Sequence, residues 1–229
     1  MLTLVTRQEI AAQKTIIASE IISLQRSFYD EEALEAYRED GEEDLYWEIF
    51  DLLQGKPESY QSFHKIIGLN HSDLGSYTQL LVSRLQQLAD HLQIQEWIVL
   101  SHLRLDFFGN RDNDYAPLEQ AYQSLEKLTG LHTYKEAFRL DQSGFAEFIP
   151  ILFWIQRCDP SVSDYICVFD EQQRISFFIC KYGNLHVTEM GQEYLSPQLL
   201  QELGWTLIEG PESDPFTDDG AIAGRVIRF

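Results

Sequence analysis

The sequence predicts an α+β fold: a helical N-terminal part packed with a C-terminal antiparallel β-sheet. Three observations predict it. Apolar residues recur at helical spacing through much of the first 144 positions. From Phe145 onward β-branched and aromatic residues dominate, broken by short turn signals. Hydrophobic residues make up 44% of the chain and aromatic residues 13%, enough for a packed core and too much for a disordered chain. A chain of 229 residues suits one large domain or two small ones. The composition shift divides it into 1–144, mainly helical, and 145–229, sheet with a short helix, as two units or one continuous domain.

The elements follow in order. Thr6 and Glu9 have the spacing of a capping box, in which hydroxyl and carboxylate each satisfy a free backbone N–H. Ile10, Ile17, Ile21, Leu24 and Phe28 continue at helical spacing. A second helix is expected within 31–54, broken near Gly41. A third runs from about Ser72 to Leu92, with Leu74, Tyr77, Leu81, Leu85, Leu88 and Leu92 as its apolar stripe. That stripe reads as core, with a seam for a partner helix as the alternative. Ile94–Leu105 reads as helix or buried strand. Ala116–Leu128 reads as helix, with Pro117 at its start and Gly130 at its end.

Phe145–Arg157 fits a buried helix or a strand, ended by Asp159 and Pro160. Strands are expected at Tyr165–Phe169, Arg174–Tyr182 and Leu185–Glu189. Gly183 and Asn184 supply a two-residue hairpin turn between the last two. Ser196 and Pro197 open a short helix that Gly204 closes. Trp205–Glu209 and Arg225–Phe229 complete the expected strands.

Charge is the most telling feature. The formal net charge is -20, and the segment Asp30–Asp51, DEEALEAYREDGEEDLYWEIFD, carries eleven acids against one base, Arg38. Tyr37, Trp47 and other large side chains are threaded through it. A solvated spacer does not need them; a folded acidic face or a docking site for a basic partner does. The acidity disfavours nucleic-acid phosphate and anionic membranes as ligands, because both are bound by Lys and Arg. Basic proteins are favoured, since opposite potentials speed encounter. Plain solubility is the competing explanation. Glu31 and Glu35, with the later Glu42, Glu43 and Asp44, are expected to share one helix face. No apolar run reaches the roughly 18 residues of a membrane span, and the start of the chain does not read as a secretory signal. Cys158, Cys167 and Cys180 read as reduced core thiols, which together with the missing signal suggests a cytoplasmic protein.

Motifs that carry chemistry are nearly absent from the sequence. No glycine-rich phosphate loop, HExxH, CxxC or GxSxG occurs. Asn110, Asp112, Asp114 and Glu119 alternate oxygen ligands, but an EF-hand bend would need Gly where Pro117 stands; local Asx turns read better. Asp214, Phe216, Asp218 and Asp219, with Glu212, read as an exposed acidic turn or a second docking patch. Cys180 and His186 flank the hairpin and could face each other as a nucleophile pair, though two ordinary strand residues are the simpler reading. The other histidines, His102 among them, read as surface or helix-end residues. No cofactor and no metal site is expected.

The hairpin-rich stretch FDEQQRISFFICKYGNLHVTEMG, the acidity and the absence of a catalytic motif resemble bacterial immunity proteins of contact-dependent and polymorphic toxin systems. The resemblance implies a non-enzymatic protein that covers or distorts a basic toxin in a tight complex. Glu31, Glu35, Glu39, Asp40, Glu42, Glu43 and Asp44 would then steer association, with Tyr37 and Trp47 as anchors and Asp214, Phe216, Asp218 and Asp219 as a second patch. Two alternatives stand beside it: a DNA mimic that blocks a DNA-binding enzyme, and an enzyme using carboxylates such as Asp112, Asp114 or Asp218.

Overall fold

The structure, a computed structural model, describes residues 1–217 and 221–225. Asp218, Asp219 and most of the strand expected at Arg225–Phe229 lie outside the described residues.

The fold is α+β. Its strands are β1 (Leu2–Val5), β2 (Ser62–Gly68), β3 (Glu96–Ser101), β4 (Ala137–Asp141), β5 (Ile166–Asp170), β6 (Ile175–Ile179), β7 (Leu185–Met190) and β8 (Thr206–Leu207). They form one antiparallel sheet in the order β1-β4-β3-β5-β6-β7-β2-β8. Its helices are α1 (Arg7–Gln13), α2 (Thr15–Phe28), α3 (Glu31–Glu39), α4 (Glu43–Ile49), α5 (Leu74–Leu92), α6 (Ala116–Thr129), α7 (Gln142–Cys158) and α8 (Pro197–Glu202). The sheet draws strands from both sides of residue 145, and β3 pairs β5 directly across that point. Residues 1–144 and 145–229 therefore share one sheet, a pairing that local composition does not reveal.

Alternation along the strands sorts the core into two layers. Trp97, Val99, Phe138, Leu140, Val168 and Phe177 point to one face and pack under α5, α6 and α7. Ile98, Leu100, Ala137, Cys167 and Phe169 point to the other and meet Ile10, Ile17, Ile21 and Ile22 of α1 and α2. Within Ile94–Leu105, Glu96–Ser101 resolves as strand, and Trp97–Leu100 are buried on both faces. Phe145–Arg157 resolves as helix. Asp141 caps it, accepting from Gly144 N at 2.8 Å, and Pro150 is accommodated inside it. The α5 stripe is spent on the core: Tyr77, Leu81, Leu85 and Leu88 are buried. The second face is roofed only in part. Near β6, β7 and β2, Phe178, His186 and Thr188 are half-buried and His64 is exposed.

The Thr6–Glu9 capping box is present, and α1 places Arg7 at the centre of a buried polar network. Its guanidinium grips Asp51 with two bonds, of 2.8 and 2.9 Å, and donates to Ser101 O at 2.6 Å. Gln25 joins it, donating to Asp51 Oδ1 at 3.0 Å and to His102 O at 2.8 Å, while accepting from Leu52 N. Four parts of the chain far apart in sequence are tied here: α1, α2, the end of the acidic segment and the end of β3.

His102 is 1% exposed rather than a surface residue. It lies against Phe28 and Tyr165, with Ser163 Oγ 2.7 Å from Nδ1. Burial pushes its imidazole down to about 4, the Tyr165 carbonyl opposing only in part. An unfolded histidine takes its proton near 6.5. The unfolded state thus binds more protons between those values, and the contribution, full above that range, is lost as pH falls through it. We expect unfolding free energy to drop by about 2 kcal/mol between about pH 7.5 and about pH 5, and His102→Gln to remove most of that slope. Urea titrations at the two pH values check this; equal slopes in both proteins would exclude His102 as the cause.

Candidate functional site

The segment 30–51 folds as a helical hairpin. Asp30 caps α3, accepting from Glu32 N and Ala33 N, and Glu31 and Glu32 sit in the first turn, where the helix dipole favours them. Gly41 turns the chain with φ of 75°, and Glu43 and Asp44 open α4. The acids are therefore divided between two short helices and a turn, not one helix face as expected. A Cβ at Gly41 would meet nothing within 4 Å, so Gly41→Ala tests backbone strain alone. It should cost about 1 kcal/mol in a urea titration; no loss would mean that the turn does not depend on glycine.

The threaded aromatics build a small core beneath the hairpin. Leu34, Tyr46 and Phe50 are buried, with Tyr37, Trp47 and Leu103 packed against them. Tyr46 stacks on Phe50 at 4.7 Å and meets Tyr37 and Trp47 edge-on. Tyr37 and Trp47 are thus partly committed to holding the hairpin together. Trp47 also borders a shallow cleft with Tyr29, Leu53 and Arg26. Tyr29 is 39% exposed and Leu45 40%.

The hairpin's charges are unevenly compensated. Arg38 bonds Glu35 within α3 at 2.6 Å and reaches across to Glu43 of α4 at 3.1 Å. A bond from Trp47, followed by that from Arg38, holds the Glu43 carboxyl below its ordinary range. Glu48 pairs with Lys135 at 3.2 Å, and Asp51 with Arg7. Glu31, Glu39, Asp40, Glu42 and Asp44 are exposed and form no ion pair among the described residues. Like charges this close weaken a helical hairpin by a few tenths of a kcal/mol per neighbouring pair.

The second expected patch is built differently. Asp214 is not presented to solvent. It takes two bonds from Arg157, of 3.2 and 2.7 Å, and both side chains are almost wholly buried. Phe216 packs on Tyr77 at 4.7 Å and lies under the Arg157 guanidinium. A buried cation on α7 needs a carboxylate, and that need draws the loop after β8 inward. Asp214 is therefore buried rather than displayed, and with half-buried Phe216 it clamps the loop.

The clamp carries Glu212 to the open side of the sheet. There Cys180 Sγ donates to Glu212 Oε2 at 3.1 Å, Asn184 Nδ2 donates to the same oxygen at 2.8 Å, and His186 Nε2 lies 2.9 Å from Oε1. Burial works to raise the Glu212 carboxyl, but the bonds from Asn184 and Cys180 and the nearby His186 outweigh it and leave it low. The β6–β7 turn is longer than the two-residue form expected. Gly183 N donates to Cys180 O, Cys180 N to Asn184 O, and Gly183 takes φ of 87°. His186 therefore pairs with Phe178, on which its ring stacks at 4.4 Å, and meets Cys180 only through Glu212. Burial and the adjoining carboxylate push the Cys180 thiol up to about 12. A nucleophile needs the opposite shift, so the pair has no activated thiolate. Residues 110–114 form local Asx turns, with Asn110 Oδ1 accepting from Asp112 N at 3.2 Å and Asn113 Oδ1 from Tyr115 N at 2.9 Å.

No protein-family model, curated protein or solved structure matches this chain. No helix among the described residues is long and apolar enough to cross a membrane.

Proposed function

We propose that this chain is a non-enzymatic binding protein that neutralises a basic protein, of the kind an immunity protein neutralises in its toxin, by docking it on the α3–α4 hairpin. The observation that carries this reading is the uncompensated charge at the tip of an ordered, aromatic-backed hairpin. Glu39, Asp40, Glu42 and Asp44 are exposed there and form no ion pair among the described residues, while Leu45, next to Asp44 in the chain, offers exposed apolar surface. Charged rim and apolar centre together form the usual anatomy of a protein interface. A cationic partner would relieve the repulsion that the free protein tolerates.

The reading is tested by affinity capture from native lysate with the wild-type chain and with Glu39, Asp40, Glu42 and Asp44 changed to Lys. A basic protein retained by the first and lost by the second supports it. A partner retained equally by both removes the hairpin from the interface. A broad set of DNA-binding proteins, displaced by duplex DNA, would instead indicate a DNA mimic.

A further inference from the structure

We propose that Cys180, His186 and Glu212 form a binding site for a divalent transition-metal ion of the zinc class, with the remaining coordination position open to water. The three side chains offer Sγ, Nε2 and a carboxylate oxygen, all within 4.8 Å of one another, the one such group among the described residues. Bonds of about 2.0–2.3 Å to a tetrahedral zinc place neighbouring donors about 3.4 Å apart. The observed spacings, 3.1 Å from Sγ to Oε2 and 2.9 Å from Nε2 to the other carboxylate oxygen, Oε1, lie within about half an ångström of that figure. Thiolate and imidazole suit zinc, cobalt or copper, whereas calcium and magnesium require oxygen ligands.

The alignment at His186 points the same way. Its Nε2 is hidden from solvent and makes no aligned hydrogen bond, although Glu212 stands beside it. A buried ring nitrogen without a hydrogen-bond partner is free to ligate an ion that it shares with Glu212. The surroundings already orient the set: Asn184 holds Glu212 by Oε2, the oxygen that Cys180 also meets, Phe178 fixes the imidazole plane, and the Arg157–Asp214 pair anchors the loop. An open cleft bordered by Tyr165, Lys181 and Tyr182 reaches all three ligands, which gives an ion an entry path. On binding, the Sγ–H bond breaks, the proton passes to solvent and the sulfur electron pair bonds the metal.

The test uses the full chain, dialysed against a chelator and titrated with Co²⁺ and with Zn²⁺. One equivalent of Co²⁺ should bind and produce a thiolate-to-cobalt absorption band in the near ultraviolet. Zn²⁺ should displace the Co²⁺ and remove the band. Cys180→Ser should abolish the band, while the buried Cys158 and Cys167 remain. His186→Gln and Glu212→Gln should each weaken binding by at least about tenfold, with far-ultraviolet circular dichroism confirming that each variant is folded. Two results would overturn the site: no stoichiometric binding by the wild-type chain, or binding left unchanged by Cys180→Ser and His186→Gln.

Discussion

Asp51→Ala will lower the unfolding free energy by about 3–5 kcal/mol, a large share of the 5–15 kcal/mol typical of a whole protein. Arg7 is 0% exposed, and Asp51 is the carboxylate that neutralises it. Without Asp51 the guanidinium keeps Ser101 O and His102 O as acceptors, but its charge stays buried and unbalanced. Gln25 also loses an acceptor. The cost thus reflects what is left behind more than what is removed. Two companions separate these parts. Asp51→Asn keeps the shape but removes the charge and turns one of the two accepting oxygens into a donor. Arg7→Met combined with Asp51→Leu removes both charges and should recover much of the loss, because the charges that were costly to bury are gone. Urea midpoints with unchanged slopes give the comparison. A single alanine variant within about 1 kcal/mol of wild type would show that the pair does not hold α1, α2 and the acidic hairpin together.

The second large effect concerns association. Changing Glu39, Asp40, Glu42 and Asp44 to Lys should slow binding of a basic partner by about 10–100-fold at low salt, because steering by complementary potentials contributes that much to encounter rates. None of the four makes an ion pair among the described residues. The fold should therefore tolerate the change, with stability within about 1 kcal/mol of wild type. Glu35 and Glu43 are left in place because both pair with Arg38, which joins α3 to α4 through Glu43. Leu45→Ala examines the apolar part of the same surface at little structural cost, since Leu45 is 40% exposed. Trp47 is less suitable, as it also supports Tyr46 in the hairpin core.

Local signals were legible where one stretch of chain decides the outcome. The Thr6–Glu9 capping box, the break at Gly41, the α5 stripe and the short helix opened by Ser196 and Pro197 all appear as expected. The ambiguous stretches, 94–105 and 145–157, hold runs buried on nearly all sides, Trp97–His102 and Ile151–Arg157, where periodicity fades because little faces water. Strands β1, β2 and β4 escaped notice for the opposite reason. They are short, half-exposed or interrupted by His64, Lys65 and Arg139, and only pairing with distant partners makes them strands.

The candidate sites divide in the same way. The acidic hairpin is contiguous and could be read directly. The fate of Asp214 could not, because its partner Arg157 is 57 positions away. The meeting of Cys180, His186 and Glu212 depends on that same clamp. Cys180 and His186 drew notice as flanks of one hairpin, and Glu212 as part of an acidic turn. The signal that could have joined them was Phe216, an aromatic in an otherwise polar loop and therefore a reason to expect that the loop folds back.

On the proposed reading, the α3–α4 hairpin is the face that meets a basic protein. Its most direct test is the association rate of the captured partner with the wild-type chain and the four-lysine variant, followed across ionic strength by stopped-flow fluorescence. The account predicts a wild-type rate that falls steeply with salt, and a variant rate about 10–100-fold lower at low salt with little salt dependence. Matching rates and matching salt slopes for the two proteins would contradict it.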